Sequence, residues 1–321
     1  MYRIGVDLGG TNIAVGLVNE NYQIVRKDST PTRAKEHTAL EITDDIAMLC
    51  RRLCEAHGIS LSDLDAIGIA SPGVANSEGG YVEYANNLPF SHFPICAELA
   101  ARTGVQNIHV ENDANAAAWG EAMAGAAKGA RHAVMITLGT GVGGGAICDG
   151  KLISGFNFAG GELGHIVIEK GGVPCSCGRL GCWEAYSSAT ALIRMTKEKL
   201  EQCQKQGRET YIEKLVAERG KISGKTAFDA MRAGDAAGKE VVDAYIGYLA
   251  VGVGNIINIF QPEVLSIGGG VSGEGDYLLD MLVPLVRAEV YGQGIVNGTD
   301  IRIASLGNDA GIIGGAVLGL K

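Results

Sequence analysis

The sequence predicts an α/β protein made of two halves. Three observations carry this expectation. A strand–turn–strand layout at the N-terminus recurs from residue 133, strand and helix patterns alternate after each copy, and no proline-rich or low-complexity linker separates the copies. The 321 residues suffice for two domains of ordinary size, with apolar content for a real core. Glycine fills 48 positions, roughly twice the usual share, without the three-residue period of collagen. Those glycines are expected in turns and at close backbone approaches.

Ile4–Leu8 and Ile13–Val18 are apolar runs flanking Gly9-Gly10-Thr11-Asn12, and a third strand is expected near Gln23–Val25, making a meander. From Thr38 to Cys54, the residues Ile42, Ile46, Leu49 and Leu53 recur at helical spacing. A buried-type strand, Ala66–Ala70, follows and ends at the turn Ser71-Pro72-Gly73. Asn107–Val110 reads as a short strand that meets an alanine-rich helix, Ala114 to Ala124, at Glu111-Asn112-Asp113. Ala133–Leu138, a glycine turn and Gly144–Cys148 restart the pattern. Residues 187–238 are mostly charged and helical. A long helix over Asp235–Phe260, the strand Val264–Ile267 and a Gly/Ala-rich helix over Ala310–Leu320 complete the chain.

The formal net charge of −9 disfavours nucleic acid and anionic membrane as partners, since both would repel the summed field. A small-molecule ligand is expected instead. The N-terminus lacks the apolar core of a signal peptide, and no stretch offers near-20 consecutive apolar residues, so the expectation is a soluble, cytoplasmic protein.

Three glycine turns each follow an apolar strand: Asp7-Leu8-Gly9-Gly10-Thr11-Asn12, Leu138-Gly139-Thr140-Gly141-Val142-Gly143, and Ile267-Gly268-Gly269-Gly270. Glycine lets backbone N–H groups approach an anion, and Thr or Asn adds side-chain hydrogen bonds, so phosphate is the natural guest. Any one alone reads equally well as a tight hairpin or a strand–helix turn. None matches the P-loop or the dinucleotide fingerprint.

Asp113 sits where a strand meets a helix. It reads either as a general base for an attacking hydroxyl, with Asn112 beside it to orient that hydroxyl, or as a helix N-cap. Farther on, His165 precedes Cys175, Cys177 and Cys182. Three thiolates and an imidazole make a closed tetrahedral set, suited to structural Zn²⁺ and leaving no open position for an activated water, which argues against a zinc hydrolase. Three reduced cysteines and a surface histidine are the alternative.

With these motifs in place, the chain resembles the ROK family (repressors, open reading frames, kinases) over essentially its whole length. Glu111-Asn112-Asp113-Ala114-Asn115, the Gly161-Glu162-Leu163-Gly164-His165 element and Cys175-Ser176-Cys177-Gly178-Arg179-Leu180-Gly181-Cys182-Trp183-Glu184 carry the likeness. The resemblance implies the two-domain actin/hexokinase-like (ribonuclease H-like) ATPase fold, with a cleft between the domains. One domain is expected over 1–115, with a helix at 309–321 returning to it, and a larger one over 116–308 carrying the zinc loop. ATP phosphates would be gripped by Gly9, Gly10, Thr11 and Asn12 and by Gly139, Thr140 and Gly141. Asp7 would lie near Mg²⁺, and Gly269 and Gly270 against the nucleoside.

The resemblance also implies that Asp113 is the base. His165 would ligate zinc through one ring nitrogen and meet a sugar with the other, which fixes its orientation. Glu162 and Glu184 would accept hydrogen bonds from sugar hydroxyls, with Gly73, Asn86, Asn87 and Asn112 at the pocket edge. The implied activity is ATP-dependent phosphorylation of a hexose 6-hydroxyl. Glucose is the first candidate, ahead of fructose, mannose, allose, N-acetylmannosamine and N-acetylglucosamine. A homodimer or homotetramer is expected. A sugar-sensing regulator of the same family would carry a helix-turn-helix domain before its first phosphate loop, whereas here that loop begins at residue 7.

Overall fold

The computed structural model describes residues 1–292 and 298–320; Lys321, the last residue of the expected returning helix, lies outside the described residues, as do 293–297. β1 (Tyr2–Leu8) and β2 (Asn12–Val18) form an antiparallel pair, their apolar side chains Ile4, Val6, Leu8, Ile13, Val15 and Leu17 fully buried. β3 (Ile24–Pro31) runs well beyond the expected Gln23–Val25. It is an edge strand paired with β2 alone, and its Arg26-Lys27-Asp28-Ser29 stretch carries no apolar signal.

α1 (Ala39–His57) starts where a capping box forms between Thr38 and Glu41, and it ends at Gly58 in the left-handed region. β4 (Leu64–Ser71) follows, then a small sheet of β5 (Val74–Asn76), β6 (Tyr81–Tyr84) and β7 (Ser91–Phe93). α2 (Ile95–Thr103), β8 (Ile108–Asn112) and α3 (Asp113–Ala124) come next. The second copy of the pattern is β9 (Ala133–Leu138), β10 (Val142–Cys148) and β11 (Lys151–Leu152).

After these come α4 (Glu184–Ser187), α5 (Ala189–Lys205), α6 (Tyr211–Arg219), α7 (Thr226–Arg232) and α8 (Ala236–Phe260). The chain closes with β12 (Val264–Gly268), α9 (Asp276–Glu289), β13 (Asp300–Ile303) and α10 (Ala310–Ala316). The last helix stops four residues short of the expected Leu320, capped at Val317 and followed by Gly319 at φ +80°.

Two five-stranded sheets result, in the orders β3-β2-β1-β4-β8 and β11-β10-β9-β12-β13. Each reads third, second, first, fourth, fifth along its own segment of chain, so the topology is duplicated. In both, the strand that follows the meander is where parallel pairing enters: β1–β4 and β4–β8 in the first sheet, β12–β13 in the second.

By its packing the chain forms two compact units. One comprises Met1–Met135, Gly145–Gly161 and Ala304–Lys321, the other Ile136–Gly144 and Glu162–Ile303. In the first, α1 and α2 cover one face of the sheet, with Ile42, Ile46, Leu49, Leu53, Ile95 and Leu99 in a common core with the strands. α10 lies on the sheet directly over β1 and β4. Its approach is so close that a Cβ on Gly68 would stand 1.8 Å from the Gly315 carbonyl oxygen. Gly68→Ala is therefore expected to destabilise the protein by about 3 kcal/mol, the upper end of ordinary overpacking, read as a lowered denaturation midpoint.

In the second unit α8 is the central helix, packed by α5, α7 and α9. By length and composition it could cross a membrane, a property that counting consecutive apolar residues missed because polar and glycine positions interrupt it. Val241, Val242, Ile246, Leu249, Val253, Ile256 and Ile257 are buried within the protein, which accounts for the helix's apolar character.

Candidate active site

In the first unit the carboxyl ends of three adjacent strands gather the expected chemistry. β1 reaches Asp7 one residue before its end, β4 leads into Ser71-Pro72-Gly73, and β8 ends at Asn112 with Asp113 next. Strand register sets them level, Asp7 opposite Ala70 and Ser71 opposite Asn112. Such strand ends are where open α/β sheets take their ligands.

Asn112 caps α3. Its Oδ1 accepts from the backbone N–H groups of Ala114 at 2.9 Å and Asn115 at 3.1 Å, and its Nδ2 donates to the Gly73 carbonyl at 3.0 Å. The capping role thus falls to Asn112 rather than Asp113, because Asn112 is the last residue before the helix, with ψ at 144°. Asp113 is exposed on the first turn, its Oδ1 accepting from the Ala114 N–H at 2.8 Å.

The Gly9–Asn12 turn is closed by the Gly9 N–H donating to the Asn12 carbonyl at 2.9 Å. Buried Thr32 braces it, its N–H donating to Thr11 O at 2.8 Å and its hydroxyl to Gly9 O at 2.6 Å. Gly10, Thr11 and Asn12 face solvent. Asn86 and Asn87 are both exposed, and Asn87 lies against Gly10, 3.2 Å from where a Cβ would stand.

Asp7 is the electrostatic centre of this unit's site. Burial pushes its carboxyl up to about 6; the charges of Asp113 and Asp309 push the same way, and Lys27 opposes them. Lys27 is itself ion-paired with Asp309. Three carboxylates around one ammonium leave a local excess of negative charge that a divalent cation would relieve. The sign of the linkage follows from the raised value. Between about pH 4 and 6 the folded protein holds this proton and the unfolded chain does not, so ionised Asp7 lowers stability above pH 6 and the loss fades as pH falls. Asp7→Asn is expected to raise the melting temperature of the ligand-free protein at pH 7.5, with the gap to the parent closing towards pH 4 in a calorimetric pH series.

In the second unit, His165, Cys175, Cys177 and Cys182 bring one ligand atom each to within 4.8 Å of one another. Cys177 and Cys182 sulfurs stand 3.6 Å apart, as do the Cys175 sulfur and His165 Nδ1. A tetrahedral ion with sulfur bonds of about 2.3 Å needs sulfur–sulfur edges of about 3.8 Å, so the set fits such an ion. Burial, then the neighbouring thiols Cys177 and Cys175, push Cys182 up to about 12, while the backbone near Arg179 draws Cys177 down.

The local fold explains the glycine in this motif. Bridges pair Val167 with Cys182 and Pro174 with Leu180. Gly181 turns the chain at φ +82°, and a Cβ there would stand 1.7 Å from the Glu169 carbonyl oxygen. Trp183, fully buried, anchors the knuckle by donating from its indole to Tyr248 O at 3.2 Å. Glu162 is exposed at the entry to the turn that carries His165.

The Gly139–Gly141 turn is held from behind by α5. The Ala189 N–H donates to Gly139 O at 2.8 Å, and the Thr190 hydroxyl donates to Thr140 O at 2.7 Å. Gly269 lies against the Leu138 backbone, 2.6 Å from a would-be Cβ, so the turns after β9 and β12 abut, with Gly270 following. Glu184 bridges two of these features. Its Oε2 accepts from the Val142 N–H at 3.0 Å, and its Oε1 accepts from the Ser176 hydroxyl at 3.0 Å and the Cys175 thiol at 3.6 Å.

Sequence reasoning missed Thr32, the Lys27–Asp309 pair and Ser176. Only Ser176 had a signal, its place between two metal-type cysteines; Thr32 and the ion pair reach their partners through strand pairing and helix return that local pattern does not encode.

The duplicated sheet order, with glycine turns after the strands, defines an ATPase-type α/β fold of the actin and hexokinase class. Within that class the chain belongs to the ROK family, whose model matches residues 3–321. It is 39% identical over 318 residues to the glucokinase of Halalkalibacterium halodurans, spanning 99% of this chain and 94% of that one. To the glucokinase of Thermotoga maritima it is 38% identical over 320 residues, spanning 98% and 95%. A ROK family glucokinase from Streptomyces griseus, solved in complex with glucose and AMPPNP, matches it with a TM-score of 0.79 at 34% identity, covering 99% of both chains.

Proposed function

We propose that this chain is a glucokinase, transferring the γ-phosphoryl group of ATP to the 6-hydroxyl of glucose, with Asp113 as general base. The observation that carries the reading is the placement of Asp113 on the exposed first turn of α3, in the same unit as the Gly9–Asn12 turn and Asp7, while Asn112 takes the capping role. The glucokinase relatives at 38–39% identity over nearly the whole chain support the acceptor, and the ROK family glucokinase solved with glucose and AMPPNP supports the donor.

Phosphoryl transfer passes through a loose transition state, so the protein positions the acceptor, balances charge and removes a proton. Asp113 takes the proton of the 6-hydroxyl as its oxygen attacks phosphorus. Asn112, Asn86, Asn87 and Gly73 would edge the sugar, with Glu162, His165 and Glu184 meeting its hydroxyls. Gly9, Gly10, Thr11 and Asn12, with Gly139, Thr140 and Gly141, offer backbone and hydroxyl donors to the phosphates; Gly269 and Gly270 back the nucleoside. Mg²⁺, held near Asp7, would neutralise charge developing on the phosphate oxygens.

His165, Cys175, Cys177 and Cys182 would hold Zn²⁺, which orders the knuckle and fixes the imidazole so that its second nitrogen meets the sugar rigidly. The setting is the cytoplasm, where ATP and free hexose meet, and the assembly a homodimer or homotetramer, on the likeness to the family's kinases. The test is ADP release with ATP and Mg²⁺ across glucose, fructose, mannose, allose, N-acetylmannosamine and N-acetylglucosamine. Glucose is expected to give the highest kcat/KM, and no sugar-dependent release across the panel would overturn the reading.

A further inference from the structure

Glu111 has no part in the chemistry above, yet it is the most heavily engaged buried carboxylate at the site. It is 4% exposed at the end of β8, two residues before Asp113. Its Oε1 accepts from the Asn112 backbone N–H at 3.0 Å and from Asn115 Nδ2 at 3.1 Å, and its Oε2 from the Ser154 hydroxyl at 3.3 Å; Ser77 adds a further side-chain hydrogen bond. All four donors are uncharged. Burying an ionisable group without a cation is unfavourable unless its hydrogen bonds are satisfied, and burial does push this carboxyl above its ordinary range while the donors pull it back.

The donors come from three separate stretches: the β8–α3 junction, the loop after β5 that holds Ser77, and the segment after β11 that holds Ser154. One oxygen thus clamps the peptide that leads into Asp113 and the first turn of the helix that carries it. The Asn115 amide oxygen has no partner among the described residues, so its amide group is oriented by Glu111 alone.

We propose that Glu111 is a positioning residue for Asp113, its carboxylate fixing the Asn112–Asp113 backbone through the hydrogen bonds from Asn112, Asn115, Ser154 and Ser77. The inference rests on Asp113 being the base. A displacement of about 1 Å in a reacting group lowers turnover about 10²-fold. The acceptor geometry, rather than the charge, is what matters. A glutamine keeps an oxygen for Asn112 and Asn115, and its amide nitrogen can donate to the two serine hydroxyls, which then act as acceptors.

The experiment compares Glu111→Ala, Glu111→Gln, Asn115→Ala and Asp113→Asn in the full-length protein, with kcat, both KM values and the melting temperature measured for each. Glu111→Ala is expected to lower kcat about 10²-fold at temperatures well below its melting point, with KM for ATP unchanged. Glu111→Gln is expected to recover kcat to within about 5-fold of the parent, and Asn115→Ala to lower it about 10-fold. A folded Glu111→Ala with parental kcat, or Glu111→Gln as impaired as Glu111→Ala, overturns the proposal. If Glu111→Ala does not fold, a folded Asn115→Ala with parental kcat overturns it instead. Asp113→Asn separates the two readings: full turnover there sinks the assignment of the base itself, whereas a dead Asp113→Asn beside a fully active Glu111→Ala sinks only the positioning role.

Discussion

Asp113→Asn is expected to lower kcat about 10²- to 10⁴-fold, the range for losing a general base, with the melting temperature little changed. The fold tolerates the change because Asp113 is exposed and the helix cap is made by Asn112. The amide is almost isosteric with the carboxylate, so KM for glucose should stay within a few-fold while the proton loses its acceptor. Steady-state kinetics beside a thermal melt checks both halves, and intact turnover in the Asp113→Asn enzyme would refute the role. Asp7 adds a second expectation to the same measurement: the Asp113 charge helps hold the Asp7 carboxyl up, so removing it should ease ionisation of Asp7.

The second large effect is expected at the metal. Cys177 is the exposed member of the cluster, so Cys177→Ser changes a proposed zinc ligand without opening a cavity in a core. Serine is a poor ligand for a soft-binding site, and zinc content after dialysis against a chelator should fall well below that of the parent. The knuckle then loses the tie that fixes His165, and KM for glucose should rise at least about tenfold. Metal analysis and kinetics on one preparation check this; full zinc with parental KM would contradict it.

Much of the architecture was legible because local signals agreed with the final fold. The Thr38–Glu41 capping box and the periodic Ile42, Ile46, Leu49 and Leu53 define α1, and Asp235 caps the long α8 where the helical pattern starts. β3 was under-read because an edge strand needs no apolar face along its whole length. The three short strands of residues 74–93 give patterns of three or four residues, too brief to register as period-two alternation.

At the site, residues adjacent in sequence were found together: Asn112 with Asp113, and the three cysteines with His165. What stayed hidden were partners brought in by tertiary folding, such as Lys27 with Asp309, 282 positions apart, and Val142 with Glu184, 42 apart. The close seat of α10 on Gly68 was equally invisible, since a glycine in a strand looks the same whether a backbone lies over it or not.

The carboxylate of Glu184 joins a glycine turn to the cysteine knuckle, one oxygen on each. Two segments sharing a single rigid strut cannot be tuned independently. On the roles proposed for these two segments, a lineage that reshapes residues 175–184 to admit a different acceptor would disturb the turn at Val142 as a side effect, so a shift in sugar preference should bring a correlated shift in nucleotide affinity, and compensating changes should gather around that turn.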